Sequence, residues 1–218
     1  MPGLAENLEG YSILHVSDIH FNNSTKKNDM LWEILHVNVA DLMLITGDFI
    51  THDRYIESLC EHFSGSNAKD GIYGILGNHD RYYLNLWQHF RHRVFKNDYV
   101  PNDWKKLVES LNRLGIGILV NQHVSIKSSR GPQLYIEGTD DPVLGNPMIA
   151  DVNSDYQSSD LKVLLSHSPD ILYSKEIQKK TFDVLLSGHT HGGQIRVPGI
   201  GAIATGTNHA KRSEAYGL

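Results

Sequence analysis

Asp18 with His20, Asp48, the tetrad Gly77-Asn78-His79-Asp80, His167, and the pair His189 and His191 are the residues of this chain whose types and spacing can do chemistry together. Carboxylate, amide and imidazole donors without thiolate suit manganese, iron, zinc or cobalt better than copper(I) or an iron–sulfur cluster. Asp18 and His20 stand one residue apart, so they point the same way if the backbone between them stays extended, and then grip one ion together. A carboxylate such as Asp48 can bridge two ions. Asn78 offers a neutral carbonyl oxygen, and His167, His189 and His191 offer nitrogen.

Charge decides what such a site would do. Two divalent ions, set against the carboxylates of Asp18 and Asp48 and a bridging hydroxide, leave a centre of about +1 that attracts an anionic substrate. Metal-held water ionises near pH ~7, which makes that hydroxide the expected nucleophile, and ions roughly 3.5–4 Å apart hold two phosphate oxygens during in-line attack. His79 adjoins Asn78 and is not needed as a ligand, so it is the expected general acid for the leaving alkoxide. Asp80 is expected to orient the His79 imidazole and raise its pKa. Taken singly the pieces mean little, because Asp-x-His arises by chance and Gly-Asp after a strand is usually a turn. Their conjunction carries the reading. His15, His36, His52, His62 and His123 are expected to be surface or packing residues.

The elements that must position these groups are short apolar runs. Residues 13–17, 42–46, 72–76, 161–166 and 182–187 each end at one of the candidate ligand blocks. Their continuous apolar character predicts central strands covered on both faces. Helical spacing over 29–38, 54–63 and 103–114 predicts helices between them, with Asp103 as N-cap and Gly115 as the C′ residue of the last. A further helix is expected over 170–180, opened by Ser168-Pro169. Strands are expected over 116–120, 123–127 and 133–137, and a loop over 140–157. The fold class is therefore α/β, with two packed sheets flanked by helices, and in such sheets the functional crevice lies beyond the carboxyl ends of the strands.

Length and composition fit this reading. The 218 residues suit one domain, which can bury roughly 70–75% of its unfolded surface without staples. Cys60 is the single cysteine, so an internal disulfide framework is excluded and a reducing compartment is expected. The formal charge of −5 argues against a general nucleic-acid binder. No apolar run approaches the roughly 20 residues of a membrane span, and residues 1–10 lack the features of a signal peptide. A soluble, cytoplasmic protein is expected.

The five blocks Asp18-x-His20, Gly47-Asp48, Gly77-Asn78-His79-Asp80, His167 and Gly188-His189-Thr190-His191 resemble, in order and in strand context, those of the calcineurin-like metallophosphoesterases. The resemblance runs over roughly residues 12–197. It implies a metallophosphoesterase-type β-sandwich of two mixed sheets. It also implies one metal on Asp18, His20, Asp48 and His191, a second on Asp48, Asn78, His167 and His189, and proton donation by His79. The segments Gly138-Thr139-Asp140-Asp141-Pro142 and Gly192-Gly193-Gln194 are similar to those of the bacterial branch of small phosphodiesterases, some of which split the pyrophosphate of UDP-diacylglucosamine. Members of that branch often begin with an export signal or anchor, not seen here. They also usually carry more strands after the Gly-Gly-Gln segment, so a shortened C-terminal sheet is expected.

An insertion is expected at about 82–104, where Tyr83, Trp87, Phe90 and Val94 recur at helical spacing near Arg91, Arg93 and Lys96. The preferred reading is a helix packed on the domain; the alternative is a lid that meets a membrane surface. The expected partner is a small anionic phosphoester, with a nucleotide-sugar lipid as one form of it. Two other readings compete: a nuclease on DNA or RNA, against which the acidic balance and the lack of a basic stripe stand, and a non-catalytic metal-binding scaffold of the same fold, which should lack some of the ligands or the acid histidine.

Overall fold

The computed structural model describes residues 8–22, 24–37, 40–83, 100–190, 195–197 and 201–204, the last two stretches as backbone. Strand β1 (Ile13–Val16), β2 (Leu42–Thr46), β3 (Ile72–Ile75) and β6 (Ile116–Ile118) form one sheet in the order β1-β2-β3-β6. All three pairings are parallel. The second sheet runs β10 (Val184–Leu186), β9 (Leu161–Leu165), β8 (Gln133–Gly138) and β7 (Gln122–Lys127), with β7 alone antiparallel. The expected fold class of sheets flanked by helices is present; the described strands of the first sheet are all parallel, and helical crossovers supply the long connections that parallel pairing needs. Two short antiparallel pairs complete the strands: β4 (Tyr82–Tyr83) with β5 (Val100–Pro101), and β11 (Ile195–Val197) with β12 (Gly201–Ala204).

Alternation along the strands builds two cores. Leu42 and Leu44 of β2 face Leu134, Ile136, Leu161, Val163 and Leu165 of the second sheet. Met43 and Ile45 face the opposite way, onto helices α1 (Thr25–Val37), α2 (Ile56–Phe63) and α4 (Trp104–Arg113), the last following the single turn α3 (Asn78–Arg81). Every residue of β2 is buried, as a strand covered on both faces must be. Helix α4 ends as its sequence requires: Asp103 accepts from the Lys106 N–H at 3.0 Å, and Gly115 takes the left-handed φ of +81° that follows a helix C-terminus.

Over 170–180 a continuous helix does not form. Two 3₁₀ turns, Pro169–Tyr173 and Glu176–Lys179, are separated by Ser174, whose ψ of 155° is extended and breaks the spiral. The expected loop over 140–157 holds one short helix near its end, α5 (Ser154–Ser158), capped by Asn153. Residues 84–99, most of the expected insertion, lie outside the described residues. Among the described residues no helix is long and apolar enough to cross a membrane.

Candidate metal centre

The ends of β1, β2, β3, β9 and β10 bring Asp18, His20, Asp48, Asn78, His167 and His189 close to one another. Beyond β1 and β2 the backbones stay together: the Asp18 N–H donates to the Gly47 carbonyl at 3.1 Å, His20 to Asp48 at 2.8 Å and Phe21 to Phe49 at 2.9 Å. The extended backbone expected between Asp18 and His20 is not found. Both residues are left-handed, at φ 53° and 45°, because pairing with the Gly47–Phe49 turn bends the chain there. Asp48 (φ 55°) and His189 (φ 68°) share this conformation, and among the described non-glycine residues only Asn121 joins them. Backbone of this kind costs on the order of 1–3 kcal/mol per residue and collects at functional sites.

The side chains converge on Asp48, which is buried with its Oδ1 accepting from the His79 N–H at 2.8 Å. Its Oδ2 has no hydrogen-bond partner. That oxygen lies 3.4 Å from His20 Nε2 and 3.4 Å from His167 Nε2. His167, also buried, lies 2.6 Å through Nδ1 from the Thr46 carbonyl. A carbonyl only accepts, so Nδ1 carries a proton, and the lone pair of a neutral ring must be on Nε2. Around that Nε2 stand Asn78 Oδ1 at 3.1 Å and His189 Nδ1 at 3.2 Å. The Asn78 amide is turned this way because its Nδ2 donates to the Tyr82 hydroxyl at 3.0 Å. One ligand atom each from Asp18, Asp48 and His167 falls within 4.8 Å of the others. The His189 N–H holds the Asp18 carboxylate at 3.0 Å.

Acceptors facing acceptors in a buried site are repulsive unless positive charge lies among them. The protein itself shows the demand. Burial lowers the His167 pKa, yet the adjacent Asp48 carboxylate overrides it and pushes the ring up to about 9. Burial also penalises charge on Asp48, but His167, His79 and His20 hold its carboxyl well below the usual range. Two glycines make the approach feasible. A Cβ at Gly77 would overlap Asp48, and one at Gly188 would overlap Ser17 Oγ and Asp18 Oδ2. An orphaned buried carboxylate oxygen between two imidazoles, in an oxygen and nitrogen donor set without thiolate, fits divalent metal.

The fully buried carboxylate of Asp80 accepts from the backbone N–H groups of Asp48 (2.9 Å), Ile50 (3.1 Å) and Gly77 (2.9 Å), so it holds the loops after β2 and β3 together. Burial and the Asp48 charge push its carboxyl up to about 7, against the pull of the Gly77 and Ile50 amides. His79 is half-buried, its ring 5.1 Å from that of His20 and 5.4 Å from that of Tyr82. His191 lies outside the described residues.

Over residues 11–193 the chain matches the family described as calcineurin-like phosphoesterase. The chain belongs to the calcineurin-like phosphoesterases. It is 30% identical to the metallophosphoesterase YkoQ of Bacillus subtilis over 86% of its length and 63% of the relative's. Phosphodiesterase YaeI of Escherichia coli is 25% identical, over 90% of this chain and 66% of its own. UDP-2,3-diacylglucosamine pyrophosphatase LpxG of Chlamydia muridarum is 25% identical, over 91% and 68%. The chain therefore spans about two-thirds of the length of these relatives.

Sequence reasoning passed over Asn102. This buried amide donates to the His79 carbonyl at 2.9 Å and accepts from the Asp53 N–H at 3.0 Å, while its own N–H donates to the Arg81 carbonyl at 2.9 Å. It staples the α3 turn that carries Asn78 and His79. The Asp140 carboxylate pairs with Arg81 across the same turn, and the Arg81 guanidinium lies 4.6 Å over the Trp104 ring. An asparagine just before the Asp103 cap is the signal in the sequence that could have marked Asn102. Nothing in the sequence separated Asp140 from its acidic neighbour.

Proposed function

We propose that this protein is a dinuclear metal-dependent hydrolase of phosphoester bonds, acting on a phosphodiester or a pyrophosphate. The observation that carries it is the unpartnered Asp48 Oδ2, buried between His20 Nε2 and His167 Nε2 at 3.4 Å each. In this reading one ion is held by Asp18, His20, Asp48 and His191, and the other by Asp48, Asn78, His167 and His189. Manganese, iron, zinc or cobalt would suit these donors. Bound ions would neutralise the phosphate oxygens and acidify water at the site.

The chain's own residues do the rest. Thr46 keeps His167 in the Nδ1–H tautomer, so that its Nε2 faces the centre. Tyr82 turns the Asn78 oxygen inward. Asp80 locks the two loops that bring Asp48 and Asn78 together. His79, half-buried with its ring 5.1 Å from that of His20, is the proton donor to the leaving oxygen in this reading. The relatives named phosphodiesterase and UDP-2,3-diacylglucosamine pyrophosphatase support a diester or pyrophosphate, with a nucleotide-sugar lipid among the substrates to try.

The test is hydrolysis of bis-p-nitrophenyl phosphate with added manganese. Turnover is expected, and chelator should abolish it. Absence of turnover on this ester and on nucleotide-sugar lipids, with manganese bound, would leave a scaffold; nicking of plasmid DNA would favour a nuclease.

A further inference from the structure

His15, Thr46 and Ser17 have no part in the metal set, yet they form a line of hydrogen bonds that ends on it. His15 Nε2 lies 2.8 Å from Thr46 Oγ1, Thr46 Oγ1 lies 2.8 Å from Ser17 Oγ, and Ser17 Oγ lies 2.7 Å from Asp18 Oδ2. Proton counting fixes the direction of each bond. An ionised carboxylate only accepts, so Ser17 donates to Asp18. A hydroxyl has a single proton, so the Ser17 oxygen accepts from Thr46, and the Thr46 oxygen accepts from His15. The proton of a neutral His15 ring therefore sits on Nε2. Burial lowers the pKa of this ring, which keeps it neutral at ordinary pH, although Asp18 pulls the other way.

Thr46 is fully buried and serves both halves of the centre with different atoms. Its carbonyl accepts from His167 Nδ1, and its hydroxyl donates toward Asp18 through Ser17. A side chain at Gly188 would displace Ser17 and Asp18 alike, so the loop after β10 closes over the end of the line. Main-chain N–H from His189 meets the same carboxylate at 3.0 Å. The orientation of Asp18 is thus set by groups from β1, β2 and the β10 loop.

We infer that His15, Thr46 and Ser17 are positioning residues for Asp18, a one-way donor chain that orients its carboxylate and so sets the affinity of one of two metal positions. This rests on the dinuclear reading above. The chain ends on Asp18 alone, so loss of a link should weaken the Asp18 position and spare the one built on Asn78, His167 and His189. The effect should fade with distance along the chain.

Manganese titration by calorimetry of the wild type, Ser17→Ala, Thr46→Val and His15→Phe tests this, together with ¹⁵N NMR of the His15 ring in metal-free protein. The wild type should take up two ions. Ser17→Ala should weaken one position by about 10–100-fold, Thr46→Val by less and His15→Phe by least, with the other position unchanged. His15→Gln, whose amide N–H can replace Nε2–H, should regain wild-type affinity. NMR should find the His15 proton on Nε2. Equal loss at both positions, no loss in Ser17→Ala, or a proton on Nδ1 overturns the inference while leaving two-ion binding by the wild type intact. A wild type that binds no manganese sinks the dinuclear reading instead, and this inference with it.

Discussion

Two buried polar clusters in this molecule solve the same problem in opposite ways. On the outer face of the second sheet, Lys180 Nζ meets Glu137 Oε2 at 2.7 Å and the Tyr135 hydroxyl at 2.9 Å. That hydroxyl donates on to Glu137 at 3.1 Å, and the Ala150 N–H occupies the other carboxylate oxygen at 2.6 Å. The ammonium is also caged by the rings of Tyr135, Tyr156 and Phe182, 4.7, 4.9 and 5.8 Å from their centroids. Charge is balanced there, and donors meet acceptors. At the carboxyl ends of strands from both sheets, His167 Nε2, His189 Nδ1, Asn78 Oδ1 and Asp48 Oδ2 gather, and the Asp48 oxygen has no hydrogen-bond partner. The closed pair supplies its own counter-charge, whereas the open donor set leaves a place for a cation. Burial alone does not mark a functional site; nitrogen and oxygen ligands converging around an unsatisfied carboxylate oxygen do.

The comparison can be broken most directly at Asp48. Asp48→Ala should remove the one carboxylate that reaches both His20 and His167, so elemental analysis should find neither metal and hydrolysis should fall to background. Next in size, His79→Ala should slow turnover by about 10²–10⁴-fold with metal content unchanged; full activity on a poor leaving group would refute the acid assignment. In the closed cluster, Lys180→Met leaves Glu137 buried without its cation and should destabilise folding by about 3–5 kcal/mol. Chemical denaturation should show that loss, while manganese affinity stays at the wild-type value. The smallest effect is on pH. The folded His167 pKa of about 9 stands above the ordinary 6.5, so the stability it lends the metal-free protein is complete below pH 6.5 and is lost as pH rises through about 9. Manganese competes with that proton, so its affinity should rise by up to about tenfold per pH unit through that window. A flat titration would contradict the placement of the lone pair.

Much of the scaffold was legible because apolar runs end at polar blocks. Residues 42–46 announce a doubly covered strand, and β2 is buried throughout. The helix from Trp104 to Arg113 followed from its spacing and its Asp103 cap. Less legible were features that depend on a partner far along the chain. The left-handed turns at Asp18 and His20 arise from pairing with the loop after β2, which periodicity cannot express. Asp80 looked like the neighbour of His79, but its partners are amides of residues 48, 50 and 77. Lys180 stood only as the last residue of the helix expected over 170–180. It is buried because Glu137, invisible to local pattern, lies opposite it.

The contact between the His189 amide and Asp18 joins residues 171 positions apart. A nascent polypeptide leaving the ribosome has Asp18 and Asp48 in the open long before the strand that carries His189 has been made. The Asp18–His189 contact cannot then form until the strand before His189 has been made. A cation bound by the donor set would stabilise only chains in which these distant segments have already met, by mass action.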